Sequence, residues 1–291
     1  MSRLEDFERV SSVDALLPAE IARKAEAVGA QKARLDFWRL FVLAVLAGAF
    51  IAFGAVFATT VLAGAGDAVP FGLSRMLAGI AFSLGLILVV VGGAELFTGN
   101  ALMVMALAAR KVTVKEVLRA WSIVYAGNLV GATGTAVMVL VSGQYLMGEG
   151  AVGSVALSIA TAKVALPFDR ALFLGILCNV LVCLAVWLSI GARSTGDKIL
   201  AVLFPISAFV AAGFEHSVAN MYFVPLGLLI KAWAPASFWL EIAIPYDSLM
   251  ALSWPAFLWH LIPVTLGNVI GGGVFVAGVY WFVYLRPGQG E

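Results

Sequence analysis

The sequence predicts an all-α integral membrane protein with six transmembrane helices, the second and fifth broken, and three observations predict it. Of 291 residues, 62% are apolar and only 12% charged, and mean hydropathy is +1.02. A soluble domain is about 45–50% apolar and about 25% charged. Six apolar runs follow a polar leader, and four contain no Asp, Glu, Lys or Arg: Leu40–Gly66, Ala120–Gly148, Ala171–Ala192 and Ser248–Leu285. Each can supply the ~20 apolar residues of a spanning helix. The other two runs are interrupted by acid, Met76–Ala109 by Glu95 and Ile199–Ile230 by Glu215 beside His216.

Residues 1–39 form the leader, with seven basic and seven acidic side chains. Pro18 suits a first helical position and Glu20 the positive end of a helix, so Ala19–Ala33 reads as an amphipathic helix. It leads to Trp38 and Arg39 at the membrane interface. A solvated leader and a gating element are both open readings of this segment. No cleavable signal peptide is expected, because the first apolar run begins only after this long polar stretch.

The interrupted runs carry the functional argument. A charged carboxylate at a helix centre costs about 2.5–3.5 kcal/mol in a membrane, so intramembrane acids and histidines read as functional by default. Pro205, Gly213 and Pro225 punctuate the fifth run, which predicts two half-helices around Gly213-Phe-Glu-His-Ser-Val-Ala-Asn220. Irregular backbone at that depth survives only when buried in protein or lining a cavity. Glu95 and Glu215 would repel an anion if exposed, so both are expected to accept hydrogen bonds from backbone donors freed by the breaks. Thr98 can cap the second half-helix or line a path.

Lys and Arg set the orientation. Arg110, Lys111, Lys115 and Arg119 cluster in one connection, and Arg193 and Lys198 in another on the same side. The positive-inside rule then places both termini in the cytoplasm. On the opposite side, 231–259 holds four Trp, as an interfacial segment does, and His260 beside Trp259 reads as interfacial.

A duplication is legible. Gly93-Ala-Glu95-Leu-Phe-Thr-Gly-Asn100 and Gly213-Phe-Glu215-His-Ser-Val-Ala-Asn220 share Gly-x-Glu-x4-Asn. Gly127-Asn128-Leu-Val-Gly131 matches Gly267-Asn268-Val-Ile-Gly271. Both pairs fall at equivalent spans of two three-span halves, about 40–148 and 171–285. An odd span count inverts the second half relative to the first. Matched interruptions in inverted halves point to a transport site at the midplane. The channel domain is thus 40–285, followed by a short cytoplasmic tail, 286–291.

Other chemistry is unsupported. Cys178 and Cys183 lie in one apolar run and read as buried free thiols. No metal site, cofactor loop or nucleophile–base pair is evident, and a net charge of +1 implies no nucleic-acid partner. A hydrolase using His216 with Ser217 is disfavoured, because adjacent helix residues point about 100° apart. The chain reads as a non-enzyme.

At these residues the chain resembles the formate/nitrite transporter family. The matching stretches are Gly93–Asn100, Gly127–Gly131, Phe214-Glu-His-Ser-Val-Ala-Asn-Met221 and Pro263-Val-Thr-Leu-Gly-Asn-Val-Ile-Gly-Gly-Gly273, within a similarity over about 14–287. The resemblance implies an aquaporin-like six-helix protomer in a homopentamer, one pore per protomer. It implies passage of small monovalent anions, formate or nitrite, across a bacterial inner membrane. It matches His216 to a central pore histidine and Thr98 to the threonine facing it. Phe82 and Phe209 match an outer aromatic constriction, and Leu86, Phe97 and Val182 an inner one. Asn179 and Asn268 match pore-side asparagines, and Lys163 a vestibule lysine. Asn100 and Asn220 stand with Glu95 and Glu215 as structural residues of the breaks. Phe214, Tyr222-Phe-Val-Pro-Leu-Gly227 and the triple glycine look like formate channels, whereas Glu95 with Phe97-Thr-Gly99, and Ala162-Lys163, look closer to nitrite channels. Formate is the reading adopted, with a nitrite-preferring channel as its alternative. An aquaporin-type channel for neutral solutes is the second alternative, but here the breaks lack Asn-Pro-Ala.

Overall fold

A computed structural model describes residues 15–64, 69–242 and 244–287. Residues 1–14 of the leader, Ala65 and Gly66 of the first apolar run and most of the tail from 288 onward lie outside the described residues. Among the described residues there is no β-strand. Among those residues six helices are long and apolar enough to cross a membrane, or seven if a pair bent by 115° counts as one more.

Helix α1 runs Pro18–Ala33, starting where Pro18 and Glu20 predict: the Glu20 carboxylate accepts the Leu17 backbone N–H at 2.7 Å. It buries Ile21, Ala22, Ala25, Gly29 and Ala33, one stripe at helical spacing. The first membrane helix, α2 (Phe37–Leu62), is capped by Asp36, whose side chain accepts from Arg39 N–H. Helix α3 (Phe71–Gly92) ends at Gly93 with φ of 78°, a left-handed conformation that glycine adopts without a Cβ penalty. A 3-10 turn, Gly99–Met103, then leads into the short helix α4 (Val104–Ala108). Helix α5 (Val114–Ser142) opens with a capping box, Thr113 and Glu116 satisfying each other's backbone N–H groups.

The connection after α5 is more ordered than its sequence suggests. It folds into α6 (Ala151–Val164), which carries Lys163 in its last turn. Helix α7 (Phe168–Gly191) is followed by α8 (Thr195–Ala212), started by a Ser194/Asp197 capping box and ended by Gly213 at φ 75°. Helix α9 (Ser217–Trp233) bends by 115° into α10 (Ala236–Ile242). Helix α11 (Trp254–Ile270) is read from sequence as part of one regular helix to Leu285. Instead it loosens into a π-helical stretch, Gly271–Gly278, before α12 (Val279–Tyr284). A Cβ on Gly272 would crowd Asn179, Cys183 and Ala101, so the chain passes these side chains too closely for any residue but glycine.

The core is built on close helix pairs: α2 with α3 and α5, α3 with α8, α7 with α11, and α9 with α5 and α6. The repeated Gly-Asn-x-x-Gly explains two of these approaches. A Cβ on Gly131 would collide with the Val45 carbonyl of α2, and one on Gly271 with the Ile176 carbonyl of α7. Small residues at such crossings let helices pack backbone to backbone, where a membrane supplies no hydrophobic drive. Large apolar side chains point outward instead, including Phe71, Val141 and Phe204.

Candidate functional site

The two chain breaks have the same local construction. Each begins with a left-handed glycine, Gly93 or Gly213, that ends a helix. Two residues on, a glutamate enters the interior: Glu95 is 5% exposed and Glu215 4%. Five residues further, an asparagine of the next helical turn reaches back. Asn100 Nδ2 donates to Glu95 Oε2 at 2.9 Å, and Asn220 Nδ2 to Glu215 Oε2 at 2.7 Å. That is the physical content of Gly-x-Glu-x4-Asn.

Among the described residues neither glutamate accepts a freed backbone donor, contrary to expectation. Both are held by lysines. Lys32 lies 3.1 Å from Glu95 Oε1 and also donates to Asn100 Oδ1 at 3.1 Å. Lys163 donates to both oxygens of Glu215, at 2.9 and 3.0 Å, with its ammonium 5.6 Å from the Phe223 ring centroid. A buried carboxylate needs a compensating cation more than a backbone donor needs that particular acceptor.

The backbone donors go to two other asparagines. Asn128 Oδ1 accepts from Phe97 N–H at 2.9 Å, while its amide donates to the carbonyls of Ala44 and Glu95. Asn268 Oδ1 accepts from Ser217 N–H at 2.9 Å, while its amide donates to the carbonyls of Gly175 and Glu215. Asn179 ties the breaks together further, donating to the carbonyls of Thr98 and Asn268. Asn179 and Asn268 therefore cross-link backbone, and neither is among the residues lining the two cavities described next.

Two cavities lie toward opposite ends of α3. One, of about 190 Å³, is lined by Arg75, Phe82, Lys163, Phe209 and His216 among others; we call it the Lys163 cavity. The other, of about 290 Å³, is lined by Lys24, Lys32, Lys198, Leu86, Glu95 and Asn100 among others, and is the Lys32 cavity. Phe82 and Phe209 meet edge to face, centroids 5.6 Å apart, and Phe209 stacks on the His216 ring at 5.9 Å. Leu86 lines the Lys32 cavity, whereas Phe97 and Val182 are buried and line neither. Phe97 instead packs edge-on to Trp121 and Tyr125.

Between the cavities stands one polar contact. The Thr98 hydroxyl and His216 Nε2 are 3.0 Å apart, and both residues are buried. Thr98 caps nothing with its side chain. In the chain it sits between Leu96 and Gly99, which line the Lys32 cavity, while His216 lines the Lys163 cavity. The contact therefore spans the wall dividing them.

His216 is also the N-cap of α9, its Nδ1 accepting Ala219 N–H at 3.0 Å. With Nδ1 so occupied, a neutral ring carries its proton on Nε2 and turns a donor toward Thr98. The start of α9 adds its positive end to the same place.

Three features escape sequence reasoning. His260 is not interfacial: it is 3% exposed and reaches Asn220 and Glu215 from α11. Arg75 donates to the carbonyls of Val210 and Ala211, closing the end of α8 beside Gly213. Lys32 gave no signal in the leader, because only the fold carries α1 to Glu95.

The comparisons agree with this geometry. The formate/nitrite transporter family profile matches residues 19–282. The chain is similar to the formate channel FocA of Escherichia coli strain K12, 44% identical over 274 residues, which are 94% of this chain and 96% of that protein. It is 38% identical to the formate channel FocA of Haemophilus influenzae, over 94% of this chain and 95% of that one. Among solved structures it is similar to a pentameric formate channel with formate bound, at TM-score 0.81 and 44% identity, covering 86% of this chain and 98% of the other. An ion channel of the same family matches at TM-score 0.78 and 29% identity, over 91% and 98% of the two chains. The match of most of the chain to the family pattern, at a site built from its two repeated motifs, shows that this chain belongs to the formate/nitrite transporter family.

Proposed function

We propose that the chain is a channel for formate and related small monovalent anions, each protomer of a homopentamer carrying its own pore. The path runs from the Lys163 cavity past Phe82 and Phe209, across the Thr98–His216 contact, and out past Leu86 through the Lys32 cavity. The observation that carries this is the buried pair of donors in the wall between two cation-lined cavities. Stripping water from an anion in a low-dielectric passage is very costly unless donors replace it. The Nε2–H of His216, the Thr98 hydroxyl and the start of α9 supply them. The anion meets Lys163 or Lys32 at each mouth, which concentrates it before dehydration.

The architecture behind this path is an inverted repeat of about 40–148 and 171–285, with the second and fifth spans broken at 93–98 and 213–216. The matching hydrogen bonds of Asn128 and Asn268, and of Asn100 and Asn220, support it. We place the chain in a bacterial inner membrane with the leader 1–39 and the tail 286–291 both cytoplasmic, following the Lys and Arg distribution. The Lys32 cavity then opens to the cytoplasm.

The test is uptake into proteoliposomes of formate, nitrite, hydrosulfide and lactate at several pH values. Formate flux well above that of protein-free vesicles, lost in His216→Phe, is expected. A neutral-solute flux with no formate flux would overturn the proposal.

A further inference from the structure

The two Lys–Glu–Asn clusters differ in one respect. At Glu95, Lys32 closes the ring by donating to Asn100 Oδ1, so both ends of that amide are used. At Glu215, among the described residues, Asn220 Oδ1 is buried without a partner, and an imidazole occupies the cluster instead. His260 Nε2 lies 3.0 Å from Asn220 Nδ2 and 3.3 Å from Glu215 Oε2.

The proton on that ring can be placed by elimination. Lys163 keeps Glu215 an acceptor, so the Asn220 group facing it is the NH₂ and not the carbonyl. The second hydrogen of that NH₂ points to His260, and Nε2 accepts it across the shorter of its two contacts, 3.0 Å against 3.3 Å to Glu215. The neutral ring then carries its proton on Nδ1, which is buried and, among the described residues, has no partner. Two buried polar atoms of this one cluster, Asn220 Oδ1 and His260 Nδ1, thus have no partner among the described residues.

We propose that His260 takes up a second proton at Nε2 and thereby sets the charge presented to the Lys163 cavity. With the ring neutral, Glu215 and Lys163 cancel. With the ring protonated, Nε2–H donates to Glu215 Oε2, which lies 3.3 Å away, and the cluster carries one net positive charge. Glu215 is then shared between two cations, and an anion entering the cavity meets a more positive wall. The proton comes from solution and returns to it. The other titratable groups on the elements around His260 are Lys163 on α6, Glu215 and His216 in the break, Asp169, Arg170, Cys178 and Cys183 on α7, and Tyr222 and Lys231 on α9. Among the described residues Glu215 is the acid of this cluster, so nothing else there neutralises the added charge. His260 is a positioning residue here: it reaches the permeating ion through Glu215 and Lys163 and does not line the cavity.

This inference rests on the channel reading, so two measurements are needed. The first is formate flux into proteoliposomes as a function of formate concentration, at pH 5.5 and 7.5, for the wild type, His260→Asn and His260→Gln. Both variants keep a polar group and lose titration. In the wild type the apparent affinity should tighten toward pH 5.5 by about three- to fourfold more than in either variant, the effect of one charge roughly 10 Å away in a wet cavity. Flux at saturating formate should stay within about twofold. Equal pH ratios in all three proteins would overturn the proposal.

The second needs no transport. The chain has two histidines, so His216→Asn leaves His260 as its single imidazole. Its ring ¹⁵N shifts should show the Nδ1–H tautomer at pH 8 and a growing doubly protonated fraction toward pH 5. An Nε2–H tautomer, or one unchanging form across that range, would refute the inference even if formate passes. If no formate passes in the wild type, the channel reading fails while the ring titration still decides the role of His260.

Discussion

Asn128 and Asn268, 140 residues apart, make the same three hydrogen bonds to two different chain breaks. Each accepts the backbone N–H two residues after the buried glutamate. Each also donates to that glutamate's carbonyl and to a carbonyl of a neighbouring membrane helix. Replacing either by alanine would orphan three buried backbone groups at once, and a buried group left without its partner costs about 1–3 kcal/mol. Asn128→Ala and Asn268→Ala are each expected to lose at least ~2 kcal/mol in denaturant unfolding in detergent. A loss under ~0.5 kcal/mol in either would mean that water replaces the bonds and that the asparagines do not hold the breaks.

These bonds also show what was legible in the sequence. The repeated Gly-x-Glu-x4-Asn marks the two places where helices end, at Gly93 and Gly213, because left-handed glycines and intramembrane acids leave marks in any linear reading. What the acids hold could not be read. Glu95 pairs with Lys32 and Glu215 with Lys163, partners 63 and 52 residues away that only the folded chain brings together. His260 was misplaced for the same reason: beside Trp259, 64% exposed, it looks interfacial, yet one step round the helix it faces the core. The ordered helix α6 was missed because its short run of small residues has no strong apolar period.

The two ion pairs should differ in strength. Lys163 is 14% exposed at its side chain and bonds both Glu215 oxygens, whereas Lys32 is 30% exposed and bonds one. Removing one partner of a buried pair strands a charge and costs about 3–5 kcal/mol, while water screens the more open pair. In double-mutant cycles on Lys163→Met with Glu215→Gln, and on Lys32→Met with Glu95→Gln, the first coupling energy should exceed the second. Equal couplings, or the reverse order, would show that exposure does not set the strength of these pairs.

Phe209 joins two parts of the proposed path, meeting Phe82 edge to face and stacking on His216. Phe209→Ala opens space on the Lys163 side without removing a polar group. Formate flux should stay equal or rise, and flux of the larger lactate should rise more. The check is the formate-to-lactate flux ratio in proteoliposomes; an unchanged ratio would move the size filter elsewhere.

Assembly follows from the proposal that this chain forms a pentamer like its structural relative. The large apolar side chains on the outside of the protomer, Phe71, Val141 and Phe204 among them, would then divide between lipid and neighbouring protomers. Native mass spectrometry in detergent should give five chains. A stable monomer or tetramer would remove the pentamer.

His216 has its two ring nitrogens assigned to different tasks, and this separates stability from transport. Nδ1 caps α9 through Ala219 N–H, and Nε2 faces Thr98. Asparagine is a good N-cap, so His216→Asn can keep the bond to Ala219 and most of the stability. Phenylalanine cannot, and His216→Phe should lose about 0.5–2 kcal/mol of helix-cap energy as well as the pore donor. Formate flux should vanish in His216→Phe. In His216→Asn it should persist at a reduced level, because an amide still donates to the anion but cannot titrate. The neutral ring has a consequence for protons as well. Giving its one Nε2 proton to formate would leave an imidazolate, so His216 can pass a proton only after Nδ1 has let go of Ala219 and been protonated. Any proton-coupled part of the flux should therefore grow as pH falls and should be absent in His216→Asn. Flux measured as a function of pH in both proteins decides it. Parallel pH profiles would leave His216 as a donor and a cap, with no part in moving protons.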